Sequence, residues 1–291
     1  MALLDSKVAV VTGAARGIGA GVARALVEKG YRVALLGLEG DLLRGNARTL
    51  GERAMAFEAD VTDRVAITSA FESIRERWGR LDAVVSNAGI SNYDLLQTMS
   101  PDHFQRVIDV NLGGTFNTIQ AALPLLKQSR GYFLGVASIA AASGPPGMAA
   151  YGASKAATES LCDTLRAEVS HLGIAVGVAY FGWLDTDLVK TGEAHPAFNF
   201  MRMHLPRPLR AIAPVEIAVK AIADGVARRK RRVMAPGWLR AALAMRWFIS
   251  GNARSYRELM PEIERLCAAE AKKRGGPEKA MITDPSRRLS S

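Results

Sequence analysis

Two hydrophobic periods alternate along the chain. Residues 7–12 (Lys-Val-Ala-Val-Val-Thr) are a short β-branched run that predicts a buried strand. A helical pattern follows to Lys29, with Gly30 placed to stop it. Further strand-like runs lie at residues 31–36, 54–57, 81–85, 131–137, 174–180 and 232–235. Helical periodicity leads to about Trp78 from an N-cap at Thr62 or Asp63, and starts again at Ser100-Pro101. That second helix carries Asn111 near a Gly113-Gly114 break, and another, at about 115–128, contains Pro124. Residues 151–171 and 214–229 read as two more helices.

Strand and helix thus alternate at least five times with no hairpin signal between them. This order predicts an α/β fold, a parallel sheet wound on both faces by helices. No repeat or low-complexity linker interrupts the first 180 residues, so one domain is expected there.

Composition narrows the class. The 291 residues are 49% hydrophobic and 23% charged, and no apolar run reaches the ~18 residues that cross a bilayer. The N-terminus runs into the first strand without a basic leader, so a cytoplasmic protein with Cys162 and Cys267 reduced is expected. The net charge of +10 belongs to the last third, where residues 201–291 hold 20 Lys and Arg against 8 Asp and Glu. No recognised nucleic-acid motif accompanies that charge, and no nucleic acid is expected as a partner. His195 and His204 lack the carboxylate or Cys companions of a metal site, so no metal is expected.

Two stretches carry chemistry. Thr12-Gly13-Ala14-Ala15-Arg16-Gly17-Ile18-Gly19 lies between a strand and a helix. Glycines there let backbone approach a pyrophosphate, and a helix N-terminus offers free N–H groups. The second stretch places Ser138 thirteen residues before Tyr151, and Lys155 four residues after it. Residues i and i+4 share one helix face, so the Lys155 ammonium lies one turn from the phenol. A nearby cation favours phenolate and brings a phenol toward the working range. Ser138, at a strand end, can hold a substrate oxygen beside it.

With these residues the chain resembles the short-chain dehydrogenase/reductase family over residues 5–235. The cofactor turn is matched by Thr12, Gly13, Gly17 and Gly19, the Asn-Ala-Gly element by Asn87, Ala88 and Gly89, and the adenine-contacting acid by Asp60. The catalytic set is matched by Asn111, Ser138, Tyr151 and Lys155. The resemblance implies a doubly wound Rossmann-type domain, mostly a seven-stranded parallel sheet, and hydride transfer between an alcohol and a carbonyl. It implies Tyr151 as acid and base, Lys155 lowering the phenol and holding the nicotinamide ribose, Ser138 polarising the carbonyl, and Asn111 positioning a water relay. Cofactor contacts are implied at Thr12, Gly13, Arg16, Gly17, Ile18, Gly19, Gly37, Leu38, Glu39, Asp60, Val61, Asn87, Ala88, Gly89, Tyr151, Lys155, Gly182, Leu184 and Thr186. After the sixth strand the family pattern begins with Pro, whereas this chain reads Phe181-Gly182-Trp183-Leu184-Asp185-Thr186, which loses the fixed φ. Arg16, and the absence of an acid at Gly37, slightly favour NADP(H) over NAD(H). Glu39 argues the other way.

Residues 187–212 stand where the family keeps its substrate lid. Phe198, Phe200, Met201, Met203 and Leu205, with His195 and His204, give this segment an adaptable apolar composition. A bulky hydrophobic alcohol or ketone is therefore expected: steroid-, retinoid- or fatty-acyl-like. A 3-ketoacyl-thioester reductase and a non-catalytic dinucleotide-binding sensor are the alternatives. Residues 236–291 exceed the catalytic domain, 1–235, and read as a basic helical extension with a frayed tail from about Ala271. The apolar stretch 238–250, beside Arg228 through Arg232, fits either a helix over the cleft or a peripheral membrane contact. The family implies a homodimer or homotetramer.

Overall fold

Seven parallel strands form one sheet in the order β3-β2-β1-β4-β5-β6-β7. They are β1 (Val8–Thr12), β2 (Arg32–Gly37), β3 (Ala54–Glu58), β4 (Ala83–Ser86), β5 (Tyr132–Val136), β6 (Ala175–Phe181) and β7 (Arg232–Ala235). The computed structural model describes residues 6–246 and 254–275. The order reverses between β1 and β4, and an open sheet of this kind leaves a crevice at its carboxyl edge there.

The helices that connect the strands are α1 (Gly17–Glu28), α2 (Gly40–Leu50), α3 (Arg64–Trp78), α4 (Pro101–Ile108), α5 (Gly114–Ser129), α6 (Ala140–Ser143) and α7 (Ala149–Glu168). After β6 come α8 (Asp187–Glu193), α9 (Pro196–Met203), α10 (Arg207–Arg210), α11 (Val215–Ala227) and, past β7, α12 (Leu239–Ala244). The inner strands are buried on both faces, which is why their sequences are continuous apolar runs, whereas the edge strands β3 and β7 are partly exposed. On β1, Val8 and Val10 join the cluster under α3, α5 and α7, with Ile67, Phe71, Ile119 and Leu165. Ala9 and Val11 join the opposite cluster under α1 and α11, with Val22, Leu26, Ala218 and Ile222.

Sequence and structure differ at three places that matter. Helix α2 has a narrow apolar stripe, Leu43 and Leu50 packing on the core, but buries only Gly40 and Leu43 fully, and no helix is expected there from the sequence. The break near Gly113-Gly114 is a π-helical turn, Asp109–Gly113, inside one continuous helical rod from α4 to α5. Helix α7 starts at Ala149, two residues before Tyr151, which sits in its first turn.

The last third packs back on the body. A C-terminal helix (Met260–Lys273) buries Ile263 against Tyr93, Leu95, Met148, Phe198 and Met201. It stays regular past Ala271; the tail from residue 276 lies outside the described residues. Within 238–246, Leu239, Ala242 and Leu243 are buried and Arg246 donates to Glu159 of α7 at 2.9 Å. Trp247, Phe248 and Ile249 lie outside the described residues. No described helix is long and apolar enough to cross a membrane.

Helix α7 lies close on β5 because position 135 is glycine. A Cβ there would stand 2.5 Å from the Sγ of Cys162, which is fully buried. Gly135→Ala should therefore cost about 1–3 kcal/mol by overpacking, and Cys162→Ala in the same chain should return most of it. Thermal unfolding of the single and double variants checks this, and additive losses would refute it.

Candidate active site

The carboxyl edge of the sheet gathers the residues that sequence alone had scattered. After β1 the chain turns through Gly13 and Gly17, whose φ values of 64° and 54° fall in the left-handed region open to glycine. A Cβ on Gly13 would stand 2.9 Å from Ala88 Cα, and one on Gly19 would overlap the Gly13 carbonyl. The turn and the loop after β4 are tied together. Thr12 Oγ1 accepts from the backbone N–H groups of Asn87 and Ala88, both at 3.0 Å, and Asn87 Nδ2 donates to Thr12 O at 3.0 Å. Asn46 on α2 adds a tie, donating to Ala15 O at 2.9 Å.

Asn111 sits fully buried within the π turn. Its Oδ1 accepts from Ile90 N at 2.8 Å, and its Nδ2 donates to Ile90 O at 3.0 Å and to Ser154 Oγ at 2.9 Å. The side chain thus clamps the loop after β4 to α7. Its carbonyl accepts from Thr115 Oγ1 at 2.7 Å. A Cβ on Gly89 would meet Asn111 Oδ1 at 3.1 Å and Lys155 Nζ at 3.2 Å, so those two polar groups flank one narrow space.

Ser138 lies two residues past the end of β5 and faces Tyr151 in the first turn of α7. Lys155 is buried, donates to Val136 O at 2.8 Å, and holds its ammonium 5.7 Å from the Tyr151 ring centre. Burial raises the Tyr151 phenol above its ordinary value, and a hydrogen bond with Ser138 pulls it back. Burial also lowers Lys155, to about 8. The cation expected to lower the phenol is itself poorly solvated, so desolvation of both groups sets the balance in this geometry.

A cavity of about 490 Å³ joins these groups. One end is walled by Gly13, Gly17, Ile18, Gly37, Leu38, Glu39, Asp60, Val61, Asn87, Ala88 and Gly89; Gly182, Leu184, Thr186, Ser138, Tyr151 and Lys155 also border it. The glycine turn forms a cradle that side chains would fill, at the open N-terminus of α1, so the residues present fit a dinucleotide pyrophosphate. Thr12 and Gly19 are the two expected contacts that do not line this space: Thr12 is wholly buried and acts through the Asn87 loop, and Gly19 packs on the Gly13 carbonyl.

At the ribose corner Arg16 makes a two-pronged pair with Glu39, with Nε–Oε2 at 2.9 Å, and a third bond from Nη1 to Asp187 Oδ2 at 2.9 Å. Asp60 accepts from Thr62 N at 2.8 Å and lies 3.6 Å from the Arg106 guanidinium. The loop after β6 keeps its course without proline because Leu184 bridges to Ala213: Ala213 N donates to Trp183 O at 3.0 Å and Asp185 N to Ala213 O at 2.9 Å.

The lid differs from the apolar surface expected of it. Phe198 and Met201 are buried against the C-terminal helix, Met203 faces solvent, and His195 caps α9 by accepting from Ala197 N at 3.2 Å. Burial lowers His195 to about 4, which keeps it neutral. Leu205 and Leu209 do face the cavity. Periodicity could not tell these faces apart, because the helix that covers α9 comes sixty residues later.

A parallel sheet with its crevice at the β1/β4 reversal, a phosphate cradle and a Ser-Tyr-Lys group at one edge together define a nicotinamide-dependent oxidoreductase. The short chain dehydrogenase family model matches residues 7–197, and the chain belongs to that family. It is an NAD(P)-dependent dehydrogenase/reductase. An uncharacterised oxidoreductase of Staphylococcus epidermidis is 35% identical over 191 residues, 65% of this chain and 83% of the relative. A 3-oxoacyl-(acyl-carrier-protein) reductase of Chlamydia muridarum is 33% identical over 225 residues, 76% of this chain and 90% of the relative. Among solved structures, an alcohol dehydrogenase from the archaeon Thermococcus sibiricus, complexed with 5-hydroxy-NADP, superposes with a TM-score of 0.69 at 28% identity. That match spans 79% of this chain and 96% of the other.

Residues that sequence reasoning passed over include Ser154, Thr115, Asn46 and Tyr256, while Asp187 and Trp238 fell within the segments read as the lid and as a helix that could cover the cleft. Ser154 lies in the Tyr151–Lys155 turn and Thr115 one turn after Asn111, so both had a local signal; Asn46 and Tyr256 reach the site only through long-range folding.

The Lys155 value carries a sign. Folded Lys155 loses its proton near pH 8 and unfolded Lys155 near its ordinary 10.5, so between them the unfolded chain binds more protons and stability rises with pH. Lys155→Met removes this dependence. The stability advantage of Lys155→Met over the wild type should shrink from pH 8 to pH 10 in urea unfolding. A difference constant with pH would contradict a buried, weakly basic Lys155.

Proposed function

We propose that this protein interconverts a secondary alcohol and a ketone that carries a bulky apolar body. The observation that carries the reading is the cavity's two-part lining. Its charged side chains, Arg16, Glu39, Asp60, Arg106, Lys155 and Asp187, surround the dinucleotide cradle or the catalytic turn. Beyond Tyr151 the wall is mostly apolar, with Ile139, Pro145, Met148, Trp183, Leu205 and Trp238 among its members, and its polar groups, the hydroxyls of Ser143, Thr191 and Tyr256, are uncharged. A charged substrate would be desolvated there without a partner, whereas an apolar one gains from burial.

The nicotinamide cofactor, when bound, supplies or accepts the hydride at carbon. Tyr151 Oη gives the matching proton to the carbonyl oxygen in reduction and takes it back in oxidation. Ser138 Oγ donates to the same oxygen, so the developing alkoxide meets two donors. Lys155 holds a positive charge beside the phenol and binds the nicotinamide ribose. Asn111 fixes the loop that carries Gly89 and the space beside Lys155. Thr12, Gly13, Arg16, Gly17, Ile18, Gly19, Gly37, Leu38, Glu39, Asp60, Val61, Asn87, Ala88, Gly182, Leu184 and Thr186 form or support the cofactor cradle. NADP(H) is the proposed cofactor, since Arg16 is aimed into the ribose corner and Gly37 brings no acid there. The archaeal relative's NADP derivative supports this choice. Glu39 already holds the Arg16 fork and weakens the preference.

A second reading, a 3-oxoacyl-thioester reductase, is favoured by the basic last third, which can attract an acidic carrier, and by the relatives of that name. Turnover of acyl thioesters but of no free ketone would select it.

Two variants test the first reading. Tyr151→Phe should lower kcat about 10²–10⁴-fold and leave cofactor affinity within a factor of about two, since only the proton carrier is removed. Substantial residual turnover would end the role given to Tyr151. Glu39→Gln should tighten NADPH binding several-fold relative to NADH, measured by quenching of intrinsic fluorescence, because Arg16 then keeps Asp187 as its one carboxylate partner and its Nε and Nη2 donors can turn to a 2′-phosphate. An unchanged ratio would place selectivity elsewhere.

A further inference from the structure

The domain that carries the dinucleotide cradle is complete at β7, yet the chain returns to the cleft twice after it. The Trp238 ring edge comes within van der Waals reach of Gly182, 3.6 Å from where a Cβ there would stand. Just after it, α12 buries Leu239 and Leu243, and Arg246 at its end is fixed to Glu159, a buried carboxylate on the helix that carries Tyr151 and Lys155. That ion pair anchors the start of the extension to α7. Further on, the turn Arg254–Arg257 brings Tyr256 to the cavity wall, and the C-terminal helix behind it is locked by Ile263, which is wholly buried. Tyr256 and Tyr151 border the same hydrophobic cluster. Among the described residues the extension is therefore held at two points by independent contacts, one ionic at Arg246 and one apolar at Ile263.

We propose that the C-terminal extension closes the far wall of the substrate cavity through Trp238 and Tyr256, and that Tyr256 sets how large an apolar substrate can reach Tyr151. This rests on reading the cavity as an apolar-ketone site. Tyr256 is the better gauge of the two. It stands on a short turn between anchored segments, whereas Trp238 is wedged against the loop after β6. Burial raises the Tyr256 phenol, as a ring in an apolar wall should behave. A large, rigid side chain with two torsions fixes a wall position at low entropic cost, so the cutoff it imposes is sharp.

The test uses the full chain and two readouts. In the first, binding of the neutral apolar probe N-phenylnaphthylamine is followed by its fluorescence, with no chemistry required. Tyr256→Ala should change probe affinity and Tyr256→Trp should weaken it, with NADPH affinity unchanged in both. In the second, kcat/KM is measured for straight-chain methyl ketones of rising length and for one-, two- and four-ring ketones. Tyr256→Ala should raise the largest accepted substrates roughly tenfold relative to the smallest, through KM, and Tyr256→Trp should do the reverse. If Tyr256→Ala fails to fold, the Trp variant decides by itself. Probe affinity and size ranking both unaltered in a folded variant would overturn the proposal. Wild-type enzyme that turns over no ketone, yet binds the probe in a Tyr256-dependent way, would refute the ketone reading and leave the wall assignment standing.

Discussion

The site depends on one close packing: α7 lying directly on β5. Gly135 removes the side chain that would hold the helix off, and Cys162 fills the space above it. At that distance Lys155 reaches the Val136 carbonyl at 2.8 Å, and Ser138, two residues beyond Val136, faces Tyr151. Move α7 outward by the thickness of a methyl group and the lysine loses its acceptor while the serine and phenol separate. The same helix offers Ser154 to Asn111 and Glu159 to Arg246, so the cofactor loop and the C-terminal extension both take their positions from it. Reaction centre, cradle and far wall are coupled through one helix-on-strand contact.

Electrostatics divides the cleft. At the cradle, carboxylates and guanidinium groups share partners, as Arg16 does between Glu39 and Asp187. Because Asp187 is the first residue of α8, the Arg16 corner also touches the start of the segment that follows β6. At the other end the wall is mostly apolar and drawn from parts of the chain far apart: the loop after β5, the lid, and the turns past β7. Between the two ends sit the buried phenol and ammonium, each pushed by desolvation toward its neutral form.

Much of this was legible before any coordinates. The run from Val8 to Thr12 is apolar throughout because both its faces are covered, and a parallel sheet follows from that. Gly13, Gly17 and Gly19 announce a turn where backbone must come close to something. Tyr151 and Lys155 announce themselves by a helical spacing. The lid was harder. Phe198 and Met201 have the composition of a ligand surface, but they pack on a helix that begins at Met260. Helix α2 was not expected from the sequence, and it buries only Gly40 and Leu43 fully.

The sequence by itself determined the layering, the strand sequence and the chemistry, because hydrophobic periodicity and local spacing are short-range properties written in neighbouring residues. Only the tertiary structure decided which face of the lid meets the cleft, that Arg16 is shared between two carboxylates, and that Trp238 and Tyr256 return to wall the cavity. Those facts depend on contacts between segments separated along the chain, from 23 residues for Arg16 and Glu39 to 171 for Arg16 and Asp187. No local pattern encodes them, since an apolar side chain gains the same burial energy against any apolar neighbour.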